Sequence, residues 1–155
     1  MRVTLLGFAC LIVCSLPGCG QTLHVSPVEG APGQSVAVEI SLDSPKGKAP
    51  ATLQWVTVFP AQLLEMESRG PEAGRAAKDS GKTVTCAERK PYSHVCILTG
   101  GKGPIANGPI ATFHFKIRTN APPGTSAVRI EGAQGVTLNL QTVSLKDDKG
   151  TVTIH

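Results

Sequence analysis

Two segments of this chain alternate apolar and polar residues with a period of two, and this pattern limits the folds open to it. It runs through residues 35–42 and again through residues 110–118, where Phe113 and Phe115 lie on the apolar side. Successive side chains of a β-strand point to opposite faces of its sheet, so each segment predicts a strand with one buried and one exposed face. Since helical periodicity is almost absent, the chain is predicted to be all-β.

Shorter strand patterns, separated by proline and glycine turns, fill much of the remaining chain. They cover residues 53–58, 82–87, 93–98, 127–131, 135–143 and 151–154. Eight or nine short strands joined by turns predict one β-sandwich with jelly-roll topology. One short surface helix is predicted over residues 71–78, because Pro71 can take the first helical position and Gly81 lies beyond the end.

The N-terminus has the composition of an export signal. Arg2 supplies a positive charge, and residues 3–16 are uncharged and mostly apolar. This stretch is shorter than the roughly 20 residues that span a bilayer. It ends in Leu16-Pro17-Gly18-Cys19, which resembles a bacterial lipobox. Residues 1–18 are therefore predicted to be a signal peptide, and Cys19 to be lipidated.

Ordinary signal cleavage is the alternative, because Gly18-Cys19-Gly20 also fits a small-x-small site and would leave Gln21 at the new N-terminus. Either route predicts an exported protein. It would be lipid-anchored in the cell envelope, facing the periplasm or the outside, or secreted if Cys19 is not lipidated. The mature residues 19–155 are long enough for a single domain with a sizeable core.

Apart from Cys19, two cysteines remain in the folded domain. Cys86 and Cys96 flank the turn-like residues 88–91. In an oxidising compartment such a pair predicts a disulfide across a β-hairpin, because facing Cα atoms of antiparallel strands lie about 4.5–5.5 Å apart. A redox-active or metal-binding pair would favour the closer Cys-x-x-Cys spacing.

The ionisable residues predict no catalytic, cofactor or metal site. The formal net charge of +4 is spread along the chain and does not predict a nucleic-acid partner. The four histidines stand singly, without a metal-ligand neighbour at short spacing; they are His24, His94, His114 and His155. The sequence has neither a nucleophile elbow nor a phosphate-binding loop. The chain is therefore predicted not to be an enzyme.

Two pairs of carboxylates leave a chemical alternative open. Glu65 and Glu67 lie two residues apart near a strand end, and Asp147 and Asp148 are adjacent in a turn. A glycosidase pair or a calcium loop would use such groups, but solvated surface is the favoured interpretation.

Five stretches of sequence follow one another in an order that spans nearly the whole mature chain. They are Pro32-Gly33-Gln34-Ser35-Val36-Ala37-Val38-Glu39-Ile40, Leu53-Gln54-Trp55, Phe59-Pro60-Ala61-Gln62-Leu63-Leu64, residues 107–117 and Ala121-Pro122-Pro123-Gly124-Thr125. This order resembles the cohesin family, jelly-roll modules that bind dockerins in extracellular assemblies. The third stretch is similar to the family's aromatic-x-Pro-x-x-Leu motif, although the aspartate common before that proline is missing. The resemblance implies a sandwich that binds another protein.

A protein partner, dockerin-like or another extracellular protein, is accordingly the leading prediction. One candidate interaction face is the polar side of the strand at residues 110–118; it consists of Thr112, His114, Lys116 and Arg118. The alternative is a carbohydrate-binding module that acts in polysaccharide binding or breakdown. Sugars stack on exposed aromatic rings, whereas Trp55 is predicted to lie in the core and Tyr92 stands alone.

Overall fold

The computed structural model describes residues 20–155, so the predicted signal peptide (residues 1–18) and Cys19 lie outside the described residues. Twelve strands and one helix follow one another along this part of the chain. They are β1 (Thr22–Val25), β2 (Val28–Gly30), β3 (Ser35–Asp43), β4 (Thr52–Val58), β5 (Leu64–Met66), β6 (Glu72–Ala73), α1 (Arg75–Asp79), β7 (Thr83–Lys90), β8 (Ser93–Thr99), β9 (Gly108–Ile117), β10 (Gly124–Val136), β11 (Thr142–Ser144) and β12 (Lys149–Ile154).

The strands form two stacked sheets, which confirms the predicted sandwich. The five-stranded sheet has the order β1-β3-β9-β5, with β6 also paired to β9. The seven-stranded sheet has the order β2-β12-β10-β4-β8-β7, with β11 paired to β10. The strand pairs are antiparallel apart from β2 and β12, which run parallel. The strands exceed the predicted eight or nine because several, such as β6, are too short to show an alternating pattern.

Alternation along each strand decides which side chains fill the space between the sheets. The five-stranded sheet contributes buried apolar side chains from its two central strands; they are Val38, Ile40, Leu42, Phe113, Phe115 and Ile117. The seven-stranded sheet faces them with Leu53, Trp55, Cys96, Leu98, Val128 and Ile130. One hydrophobic core therefore holds both sheets together.

Trp55 lies in this core, as predicted, and is fully buried. Its indole N–H donates a hydrogen bond of 3.0 Å to the hydroxyl oxygen of Thr57. The two residues share the inward face of β4 because they are two positions apart, and Thr57 is also fully buried. The largest core side chain thus satisfies its one polar group inside the core, where an unpaired donor would be destabilising.

The predicted short surface helix is confirmed, but it starts later than expected and buries one of its sides. Instead of residues 71–78, α1 covers residues 75–79, and the residues before it form β6 against β9. At Gly74 a Cβ atom would lie 2.5 Å from the carbonyl carbon of Pro109, so a residue without a side chain is needed for this close approach to β9. Ala76 and Ala77 are buried in the core.

The prediction of two separate strands at residues 127–131 and 135–143 is wrong. A single strand, β10, covers residues 124–136, with a register shift between Glu131 and Gln134. Gly132 lies at this β-bulge with a φ of 60°, a conformation that favours glycine. The bulge breaks the alternation in the sequence without ending the strand.

The predicted disulfide hairpin is confirmed. Cys86 of β7 and Cys96 of β8 are direct partners in the antiparallel pairing, with Cα atoms 4.1 Å apart, and form the disulfide. Cys96 is fully buried, and Cys86 is partly buried against the core. The bond therefore ties the edge strand β7 to the hydrophobic core.

Replacing both cysteines by alanine is expected to lower the free energy of unfolding by about 2–3 kcal/mol, because the denatured chain regains the freedom of a short closed loop. Urea unfolding of the oxidised wild type and of Cys86→Ala/Cys96→Ala measures the difference. The reduced wild type is the control that keeps both sulfur atoms. Equal urea midpoints for the oxidised and reduced wild type would contradict a stabilising role.

Candidate interaction faces

The seven-stranded sheet turns a nearly uncharged surface away from the core. Pairing across β7, β8, β4 and β10 places residues in two adjacent rows; the rows are Thr85, Ile97, Gln54 and Gln134, then Ala87, Val95, Val56 and Glu131. We call this surface the β8/β4 face. Its residues alternate with the buried core residues of the same strands, so their side chains point outward.

The β8/β4 face is apolar at its centre and charged only at its border. Val56 and Val95 lie side by side, and Ile97 next to them is 42% exposed, although it is a large apolar residue. Charged side chains lie around the border: Arg129 forms an ion pair of 3.3 Å with Glu131, and Arg89 and Lys90 of β7 line the same depression as these two residues. Four strands spaced by about 4.8 Å give a surface about 14 Å wide. Short β-branched side chains keep such a surface flat and lose little rotamer freedom when covered.

Three of the four residues of the predicted interaction face lie together on the outer side of the five-stranded sheet. Thr112, His114 and Lys116 share the outer face of β9, while Arg118 lies just beyond the end of that strand. We call these four residues the β9 face. Lys116 is exposed, but the His114 side chain is only 16% exposed, although it lies on the polar side of the strand, where an exposed histidine is the ordinary expectation; that expectation is wrong.

Neighbouring charged groups cover and engage the β9 face. The Glu72 Oε1 atom lies 3.7 Å from Nε2 of His114 and 3.9 Å from Nη1 of Arg69. Arg69 Nε also approaches Glu67 Oε2 at 3.1 Å. A hydrogen bond from Ser35 lowers the pKa of Glu67, partial burial opposes this, and Arg69 adds to the lowering. A partner on this face would have to compete with existing ion pairs.

Arg118 is likewise engaged within the fold. Its Nε atom donates to the carbonyl oxygen of Ala61 at 2.7 Å, and Nη1 lies 3.5 Å from Glu65 Oε2. Glu65 and Glu67, considered above as a glycosidase pair, therefore each have an arginine partner. These contacts fix the loop between β4 and β5 on the end of β9.

Asp147 and Asp148 also form hydrogen bonds within the fold. Asp148 Oδ2 accepts a hydrogen bond of 3.0 Å from the Val25 backbone N–H, and Asp147 Oδ1 accepts one of 3.4 Å from Ala133. Among residues 20–155, no group of three or more histidine, cysteine or acidic side chains is arranged to hold a metal ion. Within the same range, no helix has the length and apolar character to cross a membrane.

His94 is a half-buried titratable group that no sequence pattern distinguishes from the other histidines. Its ring stacks on Phe59 with 5.8 Å between ring centroids. Its Nδ1 atom is buried without a hydrogen-bond partner in the protein. Burial lowers the pKa of His94, and nearby Glu88 only partly opposes this. The alternating pattern of β8 does not reveal this environment, because Phe59 follows β4 and is far from His94 in the sequence.

Comparisons with known proteins agree with this architecture. The family model for the cohesin domain matches residues 22–154. The sixth cohesin of Acetivibrio cellulolyticus scaffoldin B, solved in complex with a mutant Cel5 dockerin, is similar with a TM-score of 0.74 and 23% identity, covering 88% of this chain and 99% of that one. The OlpA cohesin of Clostridium thermocellum, solved in complex with Doc918, is similar with a TM-score of 0.75 and 16% identity. This match covers 88% of this chain and 99% of that one.

A non-cellulosomal cohesin from the archaeon Archaeoglobus fulgidus is also similar, with a TM-score of 0.73, 14% identity, and coverage of 88% of this chain and 91% of that one. A comparison with curated protein sequences finds no match. The family model covers most of the chain, so the chain belongs to the cohesin domain family. Cohesin domains are non-catalytic binding modules, and this chain is therefore a binding module rather than an enzyme.

We expect acidification to destabilise the domain through His94. Its pKa is lowered in the folded state, so below the ordinary histidine pKa of 6.5 the unfolded chain binds a proton that the folded chain resists. Stability should therefore fall between about pH 7.5 and pH 5.5, the range that brackets the ordinary histidine pKa. Urea midpoints at both pH values should fall more for the wild type than for His94→Gln. The other three histidines are present in both proteins. Equal falls would show that His94 is not responsible.

Proposed function

We propose that this chain is an extracytoplasmic cohesin module that binds a dockerin-type protein through the β8/β4 face. The observation that carries the proposal is the uncharged, partly apolar centre of that face, with Ile97 exposed beside Val56 and Val95. The centres of protein interfaces are depleted of charged residues, because a covered charge loses its hydration. Two of the similar solved cohesins are in complex with dockerins, which supports this class of partner.

The β9 face is the competing location on the same module. Covering it would desolvate Lys116 and would disturb the contacts of His114 and Arg118 with glutamates. Breaking or burying charged pairs offsets much of what a new interface contributes. The β8/β4 face presents no such pairs at its centre, so it is the better binding surface on energetic grounds.

The carbohydrate-binding alternative finds less support in the described residues. Trp55 is fully buried, and Phe59, Phe113 and Phe115 lie in the core. Tyr92 is 44% exposed, but it lies at the turn between β7 and β8, where the Lys90 ammonium sits 5.7 Å from its ring. A single ring makes a poor platform for a polysaccharide, since stacking along a glycan uses several coplanar rings.

A charge placed on the β8/β4 face tests the proposed binding surface. Ile97→Glu should weaken binding of a purified dockerin module from the same organism by more than tenfold, because the glutamate would be buried without a partner. Isothermal titration calorimetry against each available dockerin gives the affinities. Lys116→Glu is the matched control, since it places the same side chain at an exposed strand position of the other sheet.

The outcomes separate the two faces. Weak binding by Lys116→Glu together with unchanged binding by Ile97→Glu would move the site to the β9 face. If the wild type binds no dockerin but is retained on insoluble polysaccharide, the carbohydrate-binding alternative replaces the proposal. Circular dichroism of both variants checks that neither substitution unfolds the sandwich.

We further propose that the module is exported and anchored to a membrane by lipid on Cys19. Support comes from the apolar segment at residues 3–16 and the lipobox-like Leu16-Pro17-Gly18-Cys19. The acyl chains of a lipidated N-terminal cysteine would hold the protein at the membrane more firmly than a single chain does.

The intact mass of the full chain after expression in a bacterial host tests this anchor. We expect a mature protein that begins at Cys19 and carries the mass of its acyl groups. Cys19→Ser should abolish the acylated species, whereas Cys14→Ser, within the apolar segment, should leave it unchanged. An unmodified protein beginning at Gln21 would instead support ordinary signal cleavage.

A further inference from the structure

The turn between β10 and β11 presents two large apolar side chains to solvent. Leu138 is 57% exposed and Leu140 is 85% exposed, the largest exposures among the big apolar residues of the described chain. The turn is ordered by hydrogen bonds: the Leu140 N–H donates to the Thr137 carbonyl at 3.0 Å, and the Thr137 N–H donates to the Gln141 carbonyl at 2.9 Å. Both leucines are therefore held outward on a defined hairpin tip.

Leu140 has a backbone conformation that leucine rarely adopts, so the fold does not require leucine at this position. Its φ is 60°, and it is the one non-glycine residue with positive φ in the described chain. Hairpin turns that need this conformation favour glycine or asparagine, because a larger side chain crowds the backbone. An exposed leucine at such a position makes no core contact in return. Its side chain is therefore better explained by a contact outside the domain.

The N-terminal segment enters the domain at the same end of the sandwich. Thr22 pairs with Asp43, the last residue of β3, so the preceding chain continues beyond the end of that strand. Gln21 lies there. Its side-chain amide donates a hydrogen bond of 2.6 Å to the Lys48 carbonyl, and its backbone carbonyl accepts one of 2.9 Å from the Lys146 backbone N–H. Cys19 precedes Gln21 by two residues, or about 7 Å of extended chain.

The leucine hairpin belongs to this end as well. The loop after β3 leads to Ala51, whose N–H donates to the carbonyl of Val136 at 2.7 Å, and Val136 is the last residue of β10. The hairpin tip at residues 137–141 starts immediately beyond Val136. The point of chain entry and the exposed leucines are thus at one end of the strands, which we call the leucine end.

Exposed lysines lie at the same end of the strands as the leucines. Four of them are exposed at the leucine end, in the loops after β3 and β8 and after β11; they are Lys46, Lys48, Lys102 and Lys146. None of these four ammonium groups lies within ion-pair distance of a carboxylate of the described residues. Three exposed acidic residues lie near these lysines: Asp43, Asp147 directly after Lys146, and Asp79 just before Ser80 and Gly81, which contact Gly101. Asp79 is paired with Arg75, and the four lysines outnumber the three carboxylates, so the local charge is positive.

We propose that the leucine end docks onto an anionic membrane surface, with Leu138 and Leu140 inserted at the level of the lipid headgroups and the lysines against the lipid phosphates. Exposed apolar side chains at the same end as several basic residues match the layered polarity of such a surface. The proposed anchor at Cys19 would hold this end within reach of the bilayer. Docking by the strand ends leaves both sheet faces free for a protein partner, so this inference goes beyond the binding of a dockerin.

Vesicle sedimentation of the unlipidated chain beginning at Gln21 tests the docking without any contribution from an acyl chain. This piece contains the whole hydrophobic core, from Leu23 to Ile154, and its fold is checked by circular dichroism. We expect it to bind vesicles of phosphatidylcholine with phosphatidylglycerol and to bind pure phosphatidylcholine several-fold more weakly. Binding should fall as salt rises, because salt screens the lysines.

Two variants separate the apolar from the charged contribution. Leu138→Ser/Leu140→Gly should reduce binding to the anionic vesicles roughly fivefold or more, because the inserted apolar area is lost. The same variant should keep or raise the melting temperature, since glycine adopts the conformation of residue 140 without strain. Lys46→Glu/Lys48→Glu should reduce anionic binding and leave the residual binding to neutral vesicles unchanged.

Three results would overturn the inference. One is the absence of binding to anionic vesicles by the folded wild type. Another is equal binding by the wild type and the leucine variant. A third is a wild-type dimer in analytical ultracentrifugation that the leucine variant abolishes, because the leucines would then serve contact with a second copy. Dockerin affinity of the leucine variant is measured alongside, and its loss or retention reports on the β8/β4 face separately.

Discussion

The contact between the two inward sheet faces is the interaction on which the rest of the structure depends. It requires that β3 and β9 on one side, and β4, β8 and β10 on the other, each present a row of mainly apolar side chains. Trp55 is fully buried in this contact and satisfies its indole N–H through Thr57 of the same strand. Because the inward faces are used to hold the sheets together, the outer faces are the surfaces with which this binding module can contact a partner.

Those outer surfaces differ because the strands behind them have different neighbours. Strand β9 pairs along one edge with β5 and β6, whose glutamates Glu65 and Glu72 lie against Arg118 and His114. On the seven-stranded sheet, β4 lies between β8 and β10, where Ile97 is exposed and Val56 is partly exposed. The same alternation thus produces one face on which His114 and Arg118 already contact glutamates and one face whose centre is uncharged.

The sequence predicts the sandwich, the core position of Trp55 and the Cys86–Cys96 disulfide, because each depends on spacing along one or two strands. It misplaces the start of α1, because the close approach of Gly74 to Pro109 is a contact between distant segments. The β8/β4 face escapes it for a similar reason. Val56 and Ile97 look like ordinary strand residues until the pairing of β4 with β8 places them on one open surface.

The two ends of the sandwich also differ. Both carry basic residues, but only one also carries the exposed leucines and the entry point of the chain. The end that carries Tyr92 is basic too: Lys90 lies over the tyrosine ring, Arg129 is paired with Glu131, and Arg89 is exposed without an ion-pair partner among the described residues. The leucine end has unpaired lysines, two exposed leucines and the entry point of the chain at Gln21. An anchored module that rests on this end would stand with its strands upright from the bilayer. Both sheet faces would then lie roughly perpendicular to the membrane, where a partner can approach from the side without meeting lipid.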